Sequence, residues 1–206
     1  MVDLSHIFDR SISKRDKFLA RLLGLFSEGI VRIWTRESAC IYEDLGRPTV
    51  TQLDTGKRFT LDFTLSLKSP NLSGRPEQPE KRFVTEMKCW TEYENYRFLN
   101  LAAEGQLERL NNANFKAFLT MPKHPENFVV KVSQQQIAYD GTMLIWARAE
   151  PDVIESVKQT YGLYEVLTLE NIITDLIRWE NQEYKQFLNE RAAWCNHLFT
   201  ELGNGS

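Results

Sequence analysis

The sequence predicts a mixed α/β domain, and three observations carry that expectation. Leu19, Leu22, Leu23, Phe26, Ile30, Ile33 and Trp34 recur at spacings of three and four, the period of a helix with one apolar side. After Gly46 the period changes to two, and beyond Pro151 the helical period returns and runs to the end. With 206 residues, 42% of them hydrophobic and 26% charged, the chain has apolar material for one core. We expect one domain over residues 1–206, with its main body at 13–150 and a helical extension at 151–206.

The first helix starts at Ser13, which with Asp16 three residues on supplies an amino-terminal cap. Gly24 and Gly29 favour a bend near residue 28, and Glu28 falls off the apolar stripe. Pro48–Leu53 and Arg58–Leu67 read as strands joined by Asp54, Thr55 and Gly56, a turn composition that favours an antiparallel hairpin. In the second of these, Phe59, Leu61, Phe63, Leu65 and Leu67 alternate with Thr60, Asp62, Thr64 and Ser66, giving one apolar and one polar face.

Pro70, Gly74, Pro76 and Pro79 make 69–80 a loop, and Arg82–Trp90 follows as a strand rich in Phe, Val, Thr and Trp. Thr91 and Glu94 form a capping box that opens a helix carrying Tyr93, Tyr96, Leu99, Ala103, Leu107 and Leu110. Phe115–Met121 and Thr142–Ala149 are the next strands, with Phe128–Val132 a further candidate between them. Pro151 opens a helix that Gly162 closes, Tyr164–Leu169 is a short strand, and the remainder is helical with room for one break. Trp34, Trp146, Trp179 and Trp194 lie on these stripes and strands and read as core.

Composition excludes several function classes. No apolar run reaches the roughly 20 residues that cross a bilayer, and Asp3, Asp9 and Arg10 stand where a secretory leader needs an apolar stretch, so a cytoplasmic protein without a membrane partner is expected. Cys40, Cys89 and Cys195 and His6, His124 and His197 are scattered, which disfavours a disulfide framework or a zinc site. The net charge of −3 hides an asymmetry: residues 57–131 carry +3 and residues 132–206 carry −6, so the middle of the chain would meet a polyanion. No Walker-type loop, glycine-rich dinucleotide turn or Ser-His-Asp grouping occurs.

The residues that point to chemistry are Asp62 and the run Glu86-Met87-Lys88. Alternation along a strand puts Glu86 and Lys88 on one side and Met87 on the other. If the strand of Asp62 is its neighbour, two carboxylates and an ammonium converge. Hydrolysis of a phosphodiester wants such a trio. Asp62, Glu86 and the backbone carbonyl of Met87 are hard oxygen ligands suited to Mg²⁺, with Mn²⁺ as a substitute, and Lys88 would orient or help deprotonate a water and stabilise the pentavalent state. A second acid-x-Lys, Glu183-Tyr184-Lys185, lies in a helical stretch and does not align its side chains in this way.

Thr-Leu-Asp-Phe around Asp62, a variable loop, and then Phe-Val-Thr-Glu-Met-Lys-Cys-Trp resemble the PD-(D/E)xK motif of the restriction-endonuclease-like nuclease superfamily. Leu61 stands at the position of the family's Pro. The resemblance covers about Ser13 to Met121 and implies a core of a helix, three strands that begin antiparallel in a mixed sheet, a helix and a strand, here with an extra carboxyl-terminal strand and helices. It implies a metal-dependent nuclease that hydrolyses DNA to leave a 5′-phosphate, with RNA the substrate of a few members. Glu28 is similar in position to a Glu that many members carry on the helix before the sheet. Gln106 is similarly placed to a Gln on the helix after the ExK strand. Arg75, Lys81 and Arg82 flank the variable loop and are candidate contacts to a DNA backbone. The segment beyond residue 150 is a candidate dimerisation element, so a homodimer is one expectation. The rival reading is the same fold with a silent site, serving as a binding module for nucleic acid or protein.

Overall fold

The computed structural model describes residues 17–68, 80–89 and 100–204. Helix α1, Lys17–Arg36, leads into β1, Tyr42–Asp44. Next come β2, Thr49–Gln52, β3, Arg58–Thr60, β4, Phe63–Leu67, and β5, Arg82–Lys88. After β6, Asn100–Leu101, and a 3₁₀ turn at Glu104–Gln106, α2 spans Ala113–Thr120. Strands β7, Phe128–Val132, β8, Gln135–Ile137, β9, Gly141–Trp146, and β10, Arg148–Ala149, precede α3, Pro151–Tyr161. The chain closes with β11, Glu165–Thr168, α4, Leu169–Arg178, and α5, Gln182–Asn204.

A mixed sheet of order β1-β4-β5-β9-β11 forms the centre, antiparallel from β1 to β5 and parallel from β5 to β11. A second, antiparallel sheet of order β3-β2-β7-β8 stands beside it, and β6 pairs with β10. Apolar layers cover both faces of the central sheet. On one, Ile30, Ile33 and Trp34 of α1 and Ile172, Ile173 and Leu176 of α4 pack on Phe63, Leu65, Phe83, Met87 and Met143. On the other, Phe115 and Phe118 of α2, Val157 of α3, and Val50, Phe59 and Val130 of the second sheet pack on Val84, Leu144 and Trp146. Burying both faces explains the unbroken apolar run Met143–Trp146 of β9 and the burial of every β5 residue from Phe83 to Met87, polar Thr85 and Glu86 included.

Several elements follow the sequence reading. The hairpin of β2 and β3 forms around the turn at Asp54–Gly56, and Pro151 opens α3, which Gly162 closes in the left-handed region at φ 72°. Helix α1 runs unbroken through residue 28. A Cβ at Gly29 would lie 2.9 Å from Cζ of Phe187 on α5, so the glycine admits the close approach of that ring.

Four expectations are corrected. The strand foreseen at Arg58–Leu67 is two strands in two sheets, divided at Leu61 and Asp62. The stretch 115–121 is helical, since Asn112 caps it by accepting from the amides of Asn114 and Phe115, and Phe115, Phe118 and Leu119 are buried at helical spacing. Residues 100–112 hold β6 and a 3₁₀ turn in place of the foreseen helix, whose start at 91–99 lies outside the described residues. Trp194 is exposed on α5, whereas Trp34 and Trp146 are buried. The foreseen cap at Ser13 lies outside the described residues. None of the described helices is long and apolar enough to cross a membrane.

Candidate active site

Strands β4 and β5 are antiparallel neighbours, and their ladder ends where Phe63 faces Thr85. One residue earlier, Asp62 sits at the bend where the chain crosses from β3 to β4. Its backbone N–H donates to the Thr85 carbonyl at 3.2 Å, and its Oδ2 accepts the Met87 N–H at 2.8 Å. The carboxylate thus takes over as acceptor where the partner strand has turned away, and it is fixed against the Glu86-Met87-Lys88 run.

Alternation on β5 directs Glu86 and Lys88 to the face of Val84, and their register partners on β9 are Leu144 and Trp146. Glu86 is only 6% exposed. Its carboxyl lies within hydrogen-bonding reach of the Asp62 carboxyl, 24 positions away in sequence. Lys88 Nζ forms an ion pair with Glu86, approaches the Met87 carbonyl at 3.3 Å and lies 5.4 Å above the Phe115 ring. Burial pushes the Glu86 carboxyl up to about 7; the Asp62 charge adds to the rise and the Lys88 ammonium opposes it.

Glu28 reaches this cluster through a residue that sequence reasoning missed. Arg47 Nη2 lies 2.8 Å from Glu28 Oε2 and 3.6 Å from Asp62 Oδ1, bridging α1 to the carboxylate pair. Arg32, one helical turn beyond Glu28, holds the same Glu28 oxygen at 3.3 Å. No motif marks Arg47. Its only sequence signal is the turn residue Gly46 before it, which adopts φ 110° and admits the chain from β1 into β2.

The remaining candidates have partners of their own. Gln106 lies in the 3₁₀ turn, where its Oε1 accepts from the amides of Ala102 and Ala103 and its Nε2 donates to the Asn100 carbonyl. That side chain braces a local turn. Arg82 begins β5 while Lys88 ends it, a separation of roughly 20 Å at about 3.3 Å per residue. The Arg82 guanidinium pairs with Glu80, and Lys81 beside it is exposed. Arg75 lies outside the described residues. The second acid-x-Lys is on α5, where Glu183 pairs with Arg36.

Among the described residues no three His, Cys, Asp or Glu side chains are grouped to hold a metal. The donor set at β5 is smaller: two adjoining carboxyls, Asp62 and Glu86, with the Met87 carbonyl beside them. Hard oxygens in that number suit Mg²⁺, which binds through one or two carboxylates and keeps several waters, and they do not suit zinc. The free thiol nearest by sequence, Cys89, is fully buried, and burial raises its pKa, so it is neither a ligand nor a nucleophile. Comparison with family models, with curated proteins and with solved structures finds no match for the chain.

Proposed function

We propose that this chain is a divalent-metal-dependent nuclease that hydrolyses phosphodiester bonds in DNA. The observation that carries the reading is the convergence of Asp62, Glu86 and Lys88 at one end of β5, Glu86 buried and the other two half-buried. The chain order also supports it. Helix α1, the central-sheet strands β1, β4 and β5, helix α2 and strand β9 follow the layout that the PD-(D/E)xK resemblance implies, with the acid at the head of the second sheet strand and ExK on the third.

Asp62, Glu86 and the Met87 carbonyl would hold Mg²⁺ or Mn²⁺. The bound ion supplies a Lewis acid for the phosphate and lowers the pKa of water. The protein's own groups do the rest. Met87 N–H fixes the Asp62 carboxylate, and the sheet prevents Glu86 from swinging away. Lys88 would hold a positive charge where the phosphoryl oxygens gain negative charge and, fixed by its hydrogen bond to Glu86, would orient the attacking water. Glu28 and Arg47 set the charge at the rim.

One observation favours the silent-site reading. The carboxylates already have internal cations, since Lys88 pairs with Glu86 and Arg47 stands between Glu28 and Asp62. Cleavage of supercoiled plasmid and of labelled single-stranded, duplex and branched DNA with Mg²⁺ or Mn²⁺ separates the two. Metal-dependent cutting that is lost in both Glu86→Ala and Lys88→Ala supports the nuclease. Absence of cutting together with absence of Mn²⁺ binding by calorimetry leaves the binding module.

A further inference from the structure

We infer that the outer face of the β3-β2-β7-β8 sheet is a docking surface for the phosphate backbone of duplex nucleic acid, leading to Asp62. The inference deepens the nuclease reading and rests on it for the identity of the partner. Strand register defines the face. Phe59, Val50, Val130 and Ile137 form one cross-strand row that packs inward, so the adjoining rows look outward. One outward row is Thr60, Thr49, Lys131 and Gln136, all exposed; the other is Arg58, Thr51 and Val129, of which Arg58 is exposed.

The chemistry of this face fits phosphates. Its two rows carry two cations, three hydroxyls and an amide, and no carboxylate among the described residues: Asp54 and Glu126 lie beyond its far end, in the β2-β3 turn and ahead of β7. Arginine, lysine, threonine and glutamine are the side chains that contact phosphate oxygens. A protein partner would want apolar anchors, and the half-buried Val129 is the sole apolar side chain in those two rows. Arg58 and Lys131 are two strands and two residues apart, about 12 Å by strand geometry, a span close to the width of the major groove.

Continuity with the site supplies the direction. Arg58 and Thr60 are exposed, Phe59 and Leu61 are buried, and Asp62 is half-exposed, so the alternation of β3 carries the outward side to the bend that holds Asp62. Arg47, two residues before Thr49, stands at the same end and touches Asp62. A backbone lying on the cations of β3 and β7 is thereby brought to the carboxylates across a positively charged edge.

The test is binding of a fluorescein-labelled 30-base-pair duplex in EDTA, followed by anisotropy over a salt series, with Mn²⁺ calorimetry and cleavage measured separately. The double variant R58E/K131E is expected to melt as the wild type does, to lose at least tenfold in affinity, and to flatten the slope of log K against log salt by about 2. Gln136→Lys, which adds a cation beside Lys131, is expected to tighten binding and steepen the slope by about 1. Equal affinity and slope in wild type and R58E/K131E overturn the proposal, and so does a wild type that binds no duplex. Intact Mn²⁺ binding and cutting in either of those cases leaves the nuclease reading standing. Binding that depends on Arg58 and Lys131 in a protein that takes no Mn²⁺ and cuts nothing overturns the nuclease reading and keeps the surface.

Discussion

Asp62 accepts the backbone N–H of Met87 at 2.8 Å, so the first acid of the site is also a structural cap for the strand that carries the second. Two variants separate those roles. Asp62→Asn keeps an amide oxygen for the Met87 N–H and is expected to unfold within about 1 kcal/mol of the wild type while losing Mn²⁺ binding. Asp62→Ala leaves that N–H without a partner and is expected to cost about 1–3 kcal/mol more. Urea unfolding and calorimetry read the two effects. Equal stability of the alanine and asparagine variants would remove the structural role.

Glu86 gives the site a pH signature. Its carboxyl is raised to about 7 in the fold from an ordinary value of 4.5, chiefly by burial. Between those values the folded chain binds more protons than the unfolded chain, so stability falls as pH rises from about 4.5 to 7 and the penalty is complete above that. Glu86→Gln has no such proton to lose. It is expected to match the wild type at low pH and to exceed it by on the order of 1–3 kcal/mol above pH 7. A wild type and variant whose melting temperatures stay parallel from pH 4.5 to 8 would contradict this. Mn²⁺ must displace the same proton, so its affinity for the wild type is expected to fall as pH drops below 7.

The strand from Phe59 to Leu67 shows how far the sequence could be read. Its period-two pattern located Asp62 on a polar face beside apolar neighbours, but the same pattern results whether the apolar residues enter one layer or two. Phe59 and Leu61 join the layer with α2, α3 and the second sheet, while Phe63 and Leu65 join the layer with α1 and α4. Alternation specifies inside against outside and is blind to which inside. The misread helix at 113–120 is different, because its signal was present: Asn112 as a cap and Phe115, Phe118 and Leu119 at helical spacing. Strand β8 had no such signal, since its turn places Ser133 and Gln134 at φ 48° and 68°, where asparagine or glycine is usual. Arg47 was invisible for a further reason: its contacts to Glu28 and Asp62 join three chain segments that only the fold brings together.

On the proposed function, Arg47 would compete with a metal for the same negative charge. Its guanidinium stands 2.8 Å from Glu28 and 3.6 Å from Asp62, and it is half exposed, so its attraction is screened by salt. Arg47→Ala is expected to raise Mn²⁺ affinity about two- to tenfold at low salt, with the gain shrinking at 0.5 M salt, and to weaken duplex binding. Calorimetry at the two salt concentrations checks both the direction and the origin. Reduced Mn²⁺ affinity in the variant would mean that Arg47 organises the carboxylates and does not compete for them.

Lys88 has two jobs that a pH profile can divide. Its ammonium pairs with Glu86 and thereby opposes the rise in the Glu86 pKa; it also holds positive charge beside the Met87 carbonyl, where a phosphate would develop negative charge. Removing it in Lys88→Ala is expected to move the pH midpoint for Mn²⁺ binding upward, since Glu86 then holds its proton more tightly. If that were its whole contribution, raising the pH would restore cutting. We expect cutting to stay at least a hundredfold below wild type at pH 9 with Mn²⁺ bound, because the stabilising charge is still missing. Lys88→Arg keeps a cation near Glu86 and is expected to return the Mn²⁺ midpoint toward wild type while recovering only part of the rate, since a guanidinium aims its donors in a fixed planar fork and not in the ammonium's tetrahedral pattern toward Glu86 and the Met87 carbonyl. Full recovery of Lys88→Ala at high pH would reduce Lys88 to a counter-ion for Glu86.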